Sequence, residues 1–258
     1  MTARAGRIAA ALIAACGLSC ATAGAPRPDG PTSWGAALRR AARDRGTWVP
    51  AAGAALVAAG GWDARISRWA TRKAPLFGSP ARASRWSDRL RGAAHLGMDA
   101  AALAVPGSWR VKGGRLLLDH AAAVTATSLT AGLKRATRRR RPDGSDRESF
   151  PSGHASRAFA YAAAGRVDLE ESALPPGWRC ALGAGLTALA AGTAWARVEA
   201  GVHFPTDVLA GAALGNFTAR VMHERFAGRG REVSVAVDRR RGGWSVGVTL
   251  LWGAPPPR

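Results

Sequence analysis

The sequence predicts an all-α protein, a bundle of packed helices that carries a β-hairpin at its C terminus. Three observations lead there. The apolar fraction, 47% of 258 residues, is carried largely by alanine, with few β-branched runs before residue 232, and such small side chains let helix backbones approach closely. Seven segments place apolar or small residues at helical spacing, with Gly or Pro between them. Only in the last thirty or so residues does the apolar period shorten to two. A chain of this length builds one core, or one domain with appendages.

Taken in order, residues 1–23 have the layout of a secretory signal: Arg4 and Arg7, an apolar stretch from Ile8, then small residues. Two processing sites fit, an A-x-A-like cut after Ala23 and a lipoprotein-type cut before Cys16 that leaves a lipid on that cysteine. Either way the chain is expected to be exported, to the periplasm or cell envelope. Residues 24–33, GAPRPDGPTS, read as a linker. Helices over 34–45, 47–60 and 82–104 make up an N-terminal part, residues 34–113. Helices over 114–137, 153–165, 178–196 and 206–226 make up a catalytic core, residues 114–226.

The longest uncharged stretches, Gly46 to Trp62 and Cys180 to Ala196, sit at the lower length limit for a membrane span. Asp119 and His120 interrupt the 114–137 helix, where an unpaired charge in lipid costs about 3 kcal/mol or more. The arginine-rich segment 135–141 also falls on the outer side of an exported chain, against the positive-inside tendency. A soluble or lipid-anchored bundle is therefore favoured over an integral membrane one. In the tail, Val233, Val235 and Val237 alternate with small or polar residues, as do Trp244, Val246, Val248, Leu250 and Trp252, which predicts a hairpin over 229–253. A lone hairpin is marginal in water, so its Val/Trp face is expected to cover the helical body, a twin subunit or a membrane surface.

A formal net charge of +20 implies an anionic partner: nucleic acid, an acidic membrane surface or a phosphorylated substrate. The chain carries no recognisable nucleic-acid motif, and several of its 10 tryptophans lie beside helix ends, where core or membrane-interface packing accounts for them.

Three short segments concentrate the polar residues that a helical core otherwise avoids. In SFPSGHASRAF, Pro151 stops an incoming chain, Ser152 caps a helix, and Gly153 and His154 fall in the first turn. Unpaired N–H groups and the positive end of the helix dipole meet there, and a glycine lets an oxyanion reach the backbone. In ARVEAGVHFPTD, His203 lies in the loop before a helix capped by Thr206. Asp207 is placed to accept a hydrogen bond from one ring nitrogen and make the other a better nucleophile. Arg197 offers a planar donor for phosphate oxygens. In KRATRRRRP, Lys134 and Arg141 stand two turns apart, close to one face of a helix read as ending at Pro142. Arg135, Arg138, Arg139 and Arg140 then face elsewhere, as a solvated basic face or an attractor for anionic substrate or headgroups.

Lys134 with Arg141-Pro142, Pro151-Ser152-Gly153-His154, and Arg197 with His203 and Asp207 together resemble the three-part signature of the type 2 phosphatidic acid phosphatase and vanadium haloperoxidase superfamily, over about residues 114 to 225. The resemblance implies a helical bundle of that type. It implies His203 as the nucleophile that takes the phosphoryl group, Asp207 as its orienting residue and His154 as general acid. Lys134, Arg141, Ser152, Gly153 and Arg197 are then the phosphate cradle. No metal or other cofactor is implied, although vanadate would fit the same cradle. The expected substrate is a phosphorylated lipid of the envelope or, alternatively, a small soluble phosphate ester. Less favoured are vanadate-dependent halide oxidation and a non-catalytic protein that binds acidic lipid or nucleic acid. Three departures stand out: Ala196 where the superfamily usually has serine; Glu199, a carboxylate close to the cradle in sequence; and the short loop from Asp143 to Phe150, which leaves little room for a lid or specificity insert between the first two segments.

Overall fold

The structure, a computed structural model, describes residues 32–226 in full and the backbone of residues 231–240 and 243–252. The expected signal segment, both processing sites and most of the linker lie outside the described residues. Eight helices follow in order: α1 (Trp34–Arg43), α2 (Arg45–Ala59), α3 (Asp63–Lys73), α4 (Pro80–Ala104), α5 (Trp109–Thr137), α6 (Gly153–Glu171), α7 (Pro176–Glu199) and α8 (Pro205–Phe226). The backbone of β1 (Arg231–Arg240) pairs antiparallel with β2 (Gly243–Trp252), Val235 opposite Val248. Their side chains, and so whatever a Val/Trp face covers, lie outside the described residues.

Helix α6 sits at the centre, packed against α4, α5, α7 and α8. Its sequence allows this because it is apolar nearly all round, with Ala155, Ala158, Phe159, Ala160, Ala162, Ala163 and Ala164 all buried. Small residues set how close its neighbours come. A Cβ on Gly215 of α8 would lie 2.0 Å from the Ser156 carbonyl oxygen, and one on Gly211 would lie 2.6 Å from that of Ser152. The backbones of α6 and α8 are therefore in contact along one seam, with both helices starting at the same pole. Polar ties close the other flank, where the Asn216 amide donates to Asp44 and Thr47 at the α1–α2 junction, at 2.8 and 2.9 Å.

Two sequence expectations about boundaries change. Helix α3 was not foreseen; it turns Ile66 and Ala70 inward against α7 and α8. Helix α5 ends at Thr137, as the spacing over 114–137 gave, and does not run on to Pro142 as placing Arg141 on its face required: Arg138 adopts a left-handed conformation, φ 45° and ψ 35°, and its N–H bonds Lys134 O. The chain then leaves the helix axis, so Arg141 belongs to a loop.

Among the described residues, α5 is long and apolar enough to cross a membrane by length and composition. Asp119 within it points inward and is fully buried, 2.8 Å from His223 Nε2. Arg115 pairs with Asp168 at 2.8 Å and also bonds Glu171.

Candidate active site

The three polar segments meet at the pole where α6 and α8 begin and α5 and α7 end. Two helix N-termini converge there, and the Ser152 N–H donates to Asp207 O at 2.9 Å. Ser152 caps α6 through its hydroxyl, and Gly153 opens the helix; a Cβ there would meet only Thr130, at 3.8 Å. Helix α8 starts one residue earlier than expected, with Pro205 at its first position, so Thr206 lies inside the helix and is not its cap. Asp207, in the third position, reaches back to accept from the Phe204 N–H at 2.8 Å.

His203 is almost wholly buried. Its Nδ1 lies 2.8 Å from the Ser149 carbonyl oxygen and 3.8 Å from Asp207 Oδ2. Because a carbonyl only accepts, Nδ1 carries the proton and Nε2 keeps its lone pair. The ring is thus oriented by Ser149, a correction to the expectation that Asp207 would be the direct acceptor. The reason is that the Asp207 oxygens are already engaged: Oδ1 by Arg139 Nη1 at 2.7 Å, Oδ2 by the Ser149 hydroxyl at 2.5 Å and by the Phe204 amide. Burial works to raise the Asp207 pKa, but the adjacent His203, the Ser149 hydroxyl, the Phe204 amide and the Arg139 cation hold the carboxyl below the usual carboxylate range. Burial holds His203 below the ordinary imidazole range, and the adjacent Asp207 carboxylate pulls the other way.

Arg139 corrects a second expectation. It is not part of a solvated face: its Nη1 also reaches Thr206 Oγ1 and its Nη2 reaches Asp63 Oδ2, each at 2.7 Å. Its guanidinium lies 4.3 Å from the centroid of the Phe204 ring. Asp63, the first residue of α3, accepts in addition from the Thr206 N–H at 2.9 Å. Asp63, Arg139, Asp207 and Ser149 thus form one frame behind His203.

His154 stands across the site, its Nε2 3.0 Å from Asp88 Oδ1 of α4. Burial, Arg197 and Arg91 together push its pKa down to about 4, and Asp88 opposes them. Arg197 is buried at the end of α7, with Nη1 3.4 Å from the Ser87 hydroxyl and Nε without a hydrogen-bond partner. Its pKa is lowered by burial and by the cation of Arg141. Lys134 is likewise depressed by burial and by Arg141; its amine donates to the Glu148 carbonyl. Asp146 takes Arg141 Nε at 2.7 Å. Lys134 and Arg197, both depressed beside the cation of Arg141 at a pole lined by two helix N-termini, leave an electrostatic deficit that an oxyanion would fill.

Glu199 points away. Its oxygens accept from the Leu76 and Phe77 amides at 3.0 and 3.1 Å and from Trp195 Nε1 at 2.5 Å. Ala196 is fully buried. All eight residues expected at the site, Lys134, Arg141, Ser152, Gly153, His154, Arg197, His203 and Asp207, therefore lie at this pole. The sequence reading missed Ser87, Asp88, Asp63, Arg139 and Ser149; only Arg139 had been singled out, and it was assigned to the surface.

The family model of the PAP2 superfamily matches residues 116–231, which span all three segments. Residues 116–231 are a PAP2 superfamily domain. No curated protein and no solved structure matches the chain. PAP2 superfamily members are generally phosphatases, and the charge deficit between His154 and His203 accords with that chemistry. The PAP2 domain and the apolar α5 fit a membrane-associated or envelope protein. The helices before residue 116 are not accessory to the PAP2 domain: α3 and α4 supply Asp63, Ser87 and Asp88 to its pole.

Proposed function

We propose that the protein is a metal-independent phosphatase that hydrolyses phosphate esters through a phosphohistidine, with an envelope lipid phosphate as substrate. The observation that carries this reading is the pairing of two differently held histidines across a cluster of Lys134, Arg141 and Arg197. His203 Nε2 attacks phosphorus while Nδ1–H stays donated to Ser149 O. A P–N bond forms as the P–O bond to the leaving alcohol breaks. His154 gives that oxygen its proton, then takes one from the water that cleaves the P–N bond and releases phosphate. The three cations, the Ser152 hydroxyl and the Gly153 N–H neutralise the equatorial oxygens, which is most of what phosphoryl transfer requires.

A lipid ester is favoured over a small soluble one by the apolar rim. Leu76 is 60% exposed and Trp86 42% exposed, Phe77 packs on Trp86 with centroids 6.4 Å apart, and Trp86 directly precedes the Ser87 and Asp88 that hold Arg197 and His154. Hydrolysis of p-nitrophenyl phosphate in chelator is expected for the native protein and lost by at least about a thousandfold in His203→Ala. Equal rates for the two would overturn the mechanism. A short-chain phosphatidate hydrolysed no better than glycerol phosphate would overturn the lipid preference alone.

A further inference from the structure

Away from the catalytic pole, α4 and α5 bring together His95, Asp99 and His120. His95 and Asp99 are one turn apart on α4 and share a face; His120 approaches from α5. The two Nε2 atoms are 3.0 Å apart. Asp99 Oδ2 lies 3.6 Å from His95 Nε2, and Asp99 Oδ1 lies 3.8 Å from His120 Nε2. Nδ1 of His120 is 2.8 Å from the Leu116 carbonyl, so that nitrogen carries the proton and Nε2 presents a lone pair to the cluster. A carbonyl behind the far ring nitrogen is how metal-bound imidazoles are ordinarily oriented. The His95 ring is fixed as well, stacked on Tyr161 with centroids 4.7 Å apart. Asp99 Oδ1 is shielded from solvent and has no hydrogen-bond partner.

These distances suit a small divalent cation. Ligand atoms bound tetrahedrally at about 2.0–2.2 Å stand roughly 3.3–3.6 Å apart; the two ring nitrogens are a little closer than that, each has an Asp99 oxygen near it, and one ligand atom from each residue lies within 4.8 Å of the other two. The side chains are between 28% and 46% exposed, which leaves water access to a fourth position. The nearby cations are turned elsewhere, Arg91 to Asp88 at 3.1 Å and Arg157 to Thr127 at 3.1 Å. We propose that His95, Asp99 and His120 form a zinc site that joins α4 to α5. Two imidazoles and a carboxylate are the donor set such an ion takes. The site lies seven residues along α4 from Asp88, about 10 Å of helix rise, so it braces the helix that holds His154 without entering the phosphate cluster.

The test is equilibrium dialysis of the tag-free, chelator-stripped full-length chain against zinc, with metal analysis and thermal melting. Native protein is expected to take up one zinc per chain and to melt higher with zinc than without. His120→Gln, at the exposed end of the cluster, and Asp99→Asn are each expected to weaken binding by at least about tenfold, while His203→Ala binds as native. Circular dichroism of the metal-free variants separates lost ligands from lost fold. No uptake by the native chain would overturn the proposal. So would undiminished uptake by a folded His95→Gln/His120→Gln variant, which would place the zinc elsewhere, on Cys16 and Cys20 or on the buried Asp119, Asp168 and His223.

Discussion

His154 and His203 occupy similar places in the sequence, each at a helix start, yet the folded chain treats them differently. His203 is 2% exposed and donates to a carbonyl; His154 is 26% exposed and faces a carboxylate. Their positions were legible because helix caps and first turns are local. Their partners were not, since Ser149 and Asp88 lie 54 and 66 residues away and only tertiary packing joins them. The same holds for Arg139, one arginine of five in a short run: Arg135, Arg138 and Arg140 are exposed and Arg141 pairs with Asp146, while Arg139 alone turns in to Asp207. Asp88 gives a pH prediction. In the free protein His154 titrates at about 4, so above that pH its protonated fraction falls tenfold per unit. Asp88 raises the value; removing its charge lowers it and leaves less acid at every pH above about 4. In Asp88→Asn, kcat/KM for an alkyl phosphate should therefore drop by about three- to tenfold between pH 5 and 8, the effect being moderated because Asp88 is more than half exposed and screened by salt. p-Nitrophenyl phosphate, whose leaving group needs no proton, should change far less. Proportional losses on both substrates in a pH–rate series would remove His154 from the acid's role.

At the scale of elements, helical spacing revealed seven helices, and the eighth escaped for a physical reason. In α3, DARISRWATRK, two buried apolar residues are set among charges, too sparse a stripe to stand out, and its burial against α7 and α8 is a tertiary outcome. The spacing ended α5 correctly at Thr137, but Arg141 was misplaced because Pro142 looked like the stop for the basic run, whereas Arg138 in the left-handed region had already ended the helix. That reversal is what sends Arg139 under α8 and Arg141 into the loop. The α6–α8 seam fixes the distance between the two histidine-bearing helix starts, and it rests on absent side chains. In Gly215→Ala the new methyl would meet backbone 2.0 Å away, so the helices must part. A loss of at least about 2 kcal/mol is expected, roughly 5 °C or more in Tm. Gly185→Ala, in the middle of α7 with nothing within 4 Å of the new Cβ, should instead gain about 0.5–1 kcal/mol by lowering the entropy of the unfolded chain. Melting curves that shift both variants the same way would show that the seam does not set the packing.

At the scale of the whole molecule, the net charge of +20 pointed to an anionic partner without locating it, because charge counts do not distinguish a cation turned inward from one in water. The cations that matter here are few and at least partly buried, and their partners come mostly from outside the three segments: the Ser87 hydroxyl for Arg197, the Glu148 carbonyl for Lys134 and the Asp146 carboxylate for Arg141. Glu199 illustrates the point from the other sign. Its place in the sequence, two residues after Arg197, set it beside the cradle, but along a helix that offset turns a side chain to the far face. There it binds the α3–α4 connection through two backbone amides, and that connection carries Leu76 and Phe77 to the rim. Glu199→Gln replaces one acceptor oxygen by a donor, so at least one buried N–H loses its partner, at a cost of about 1–3 kcal/mol. The rim should loosen while the phosphate cluster stays intact. KM for a dispersed short-chain lipid phosphate is expected to rise about tenfold, since an apolar contact of this size is worth roughly 1–3 kcal/mol. kcat/KM for p-nitrophenyl phosphate should stay within about twofold of native. Equal losses on the two substrates would mean that Glu199 acts on the cradle itself; a lipid-selective loss ties substrate preference to a carboxylate that never touches the reacting atoms.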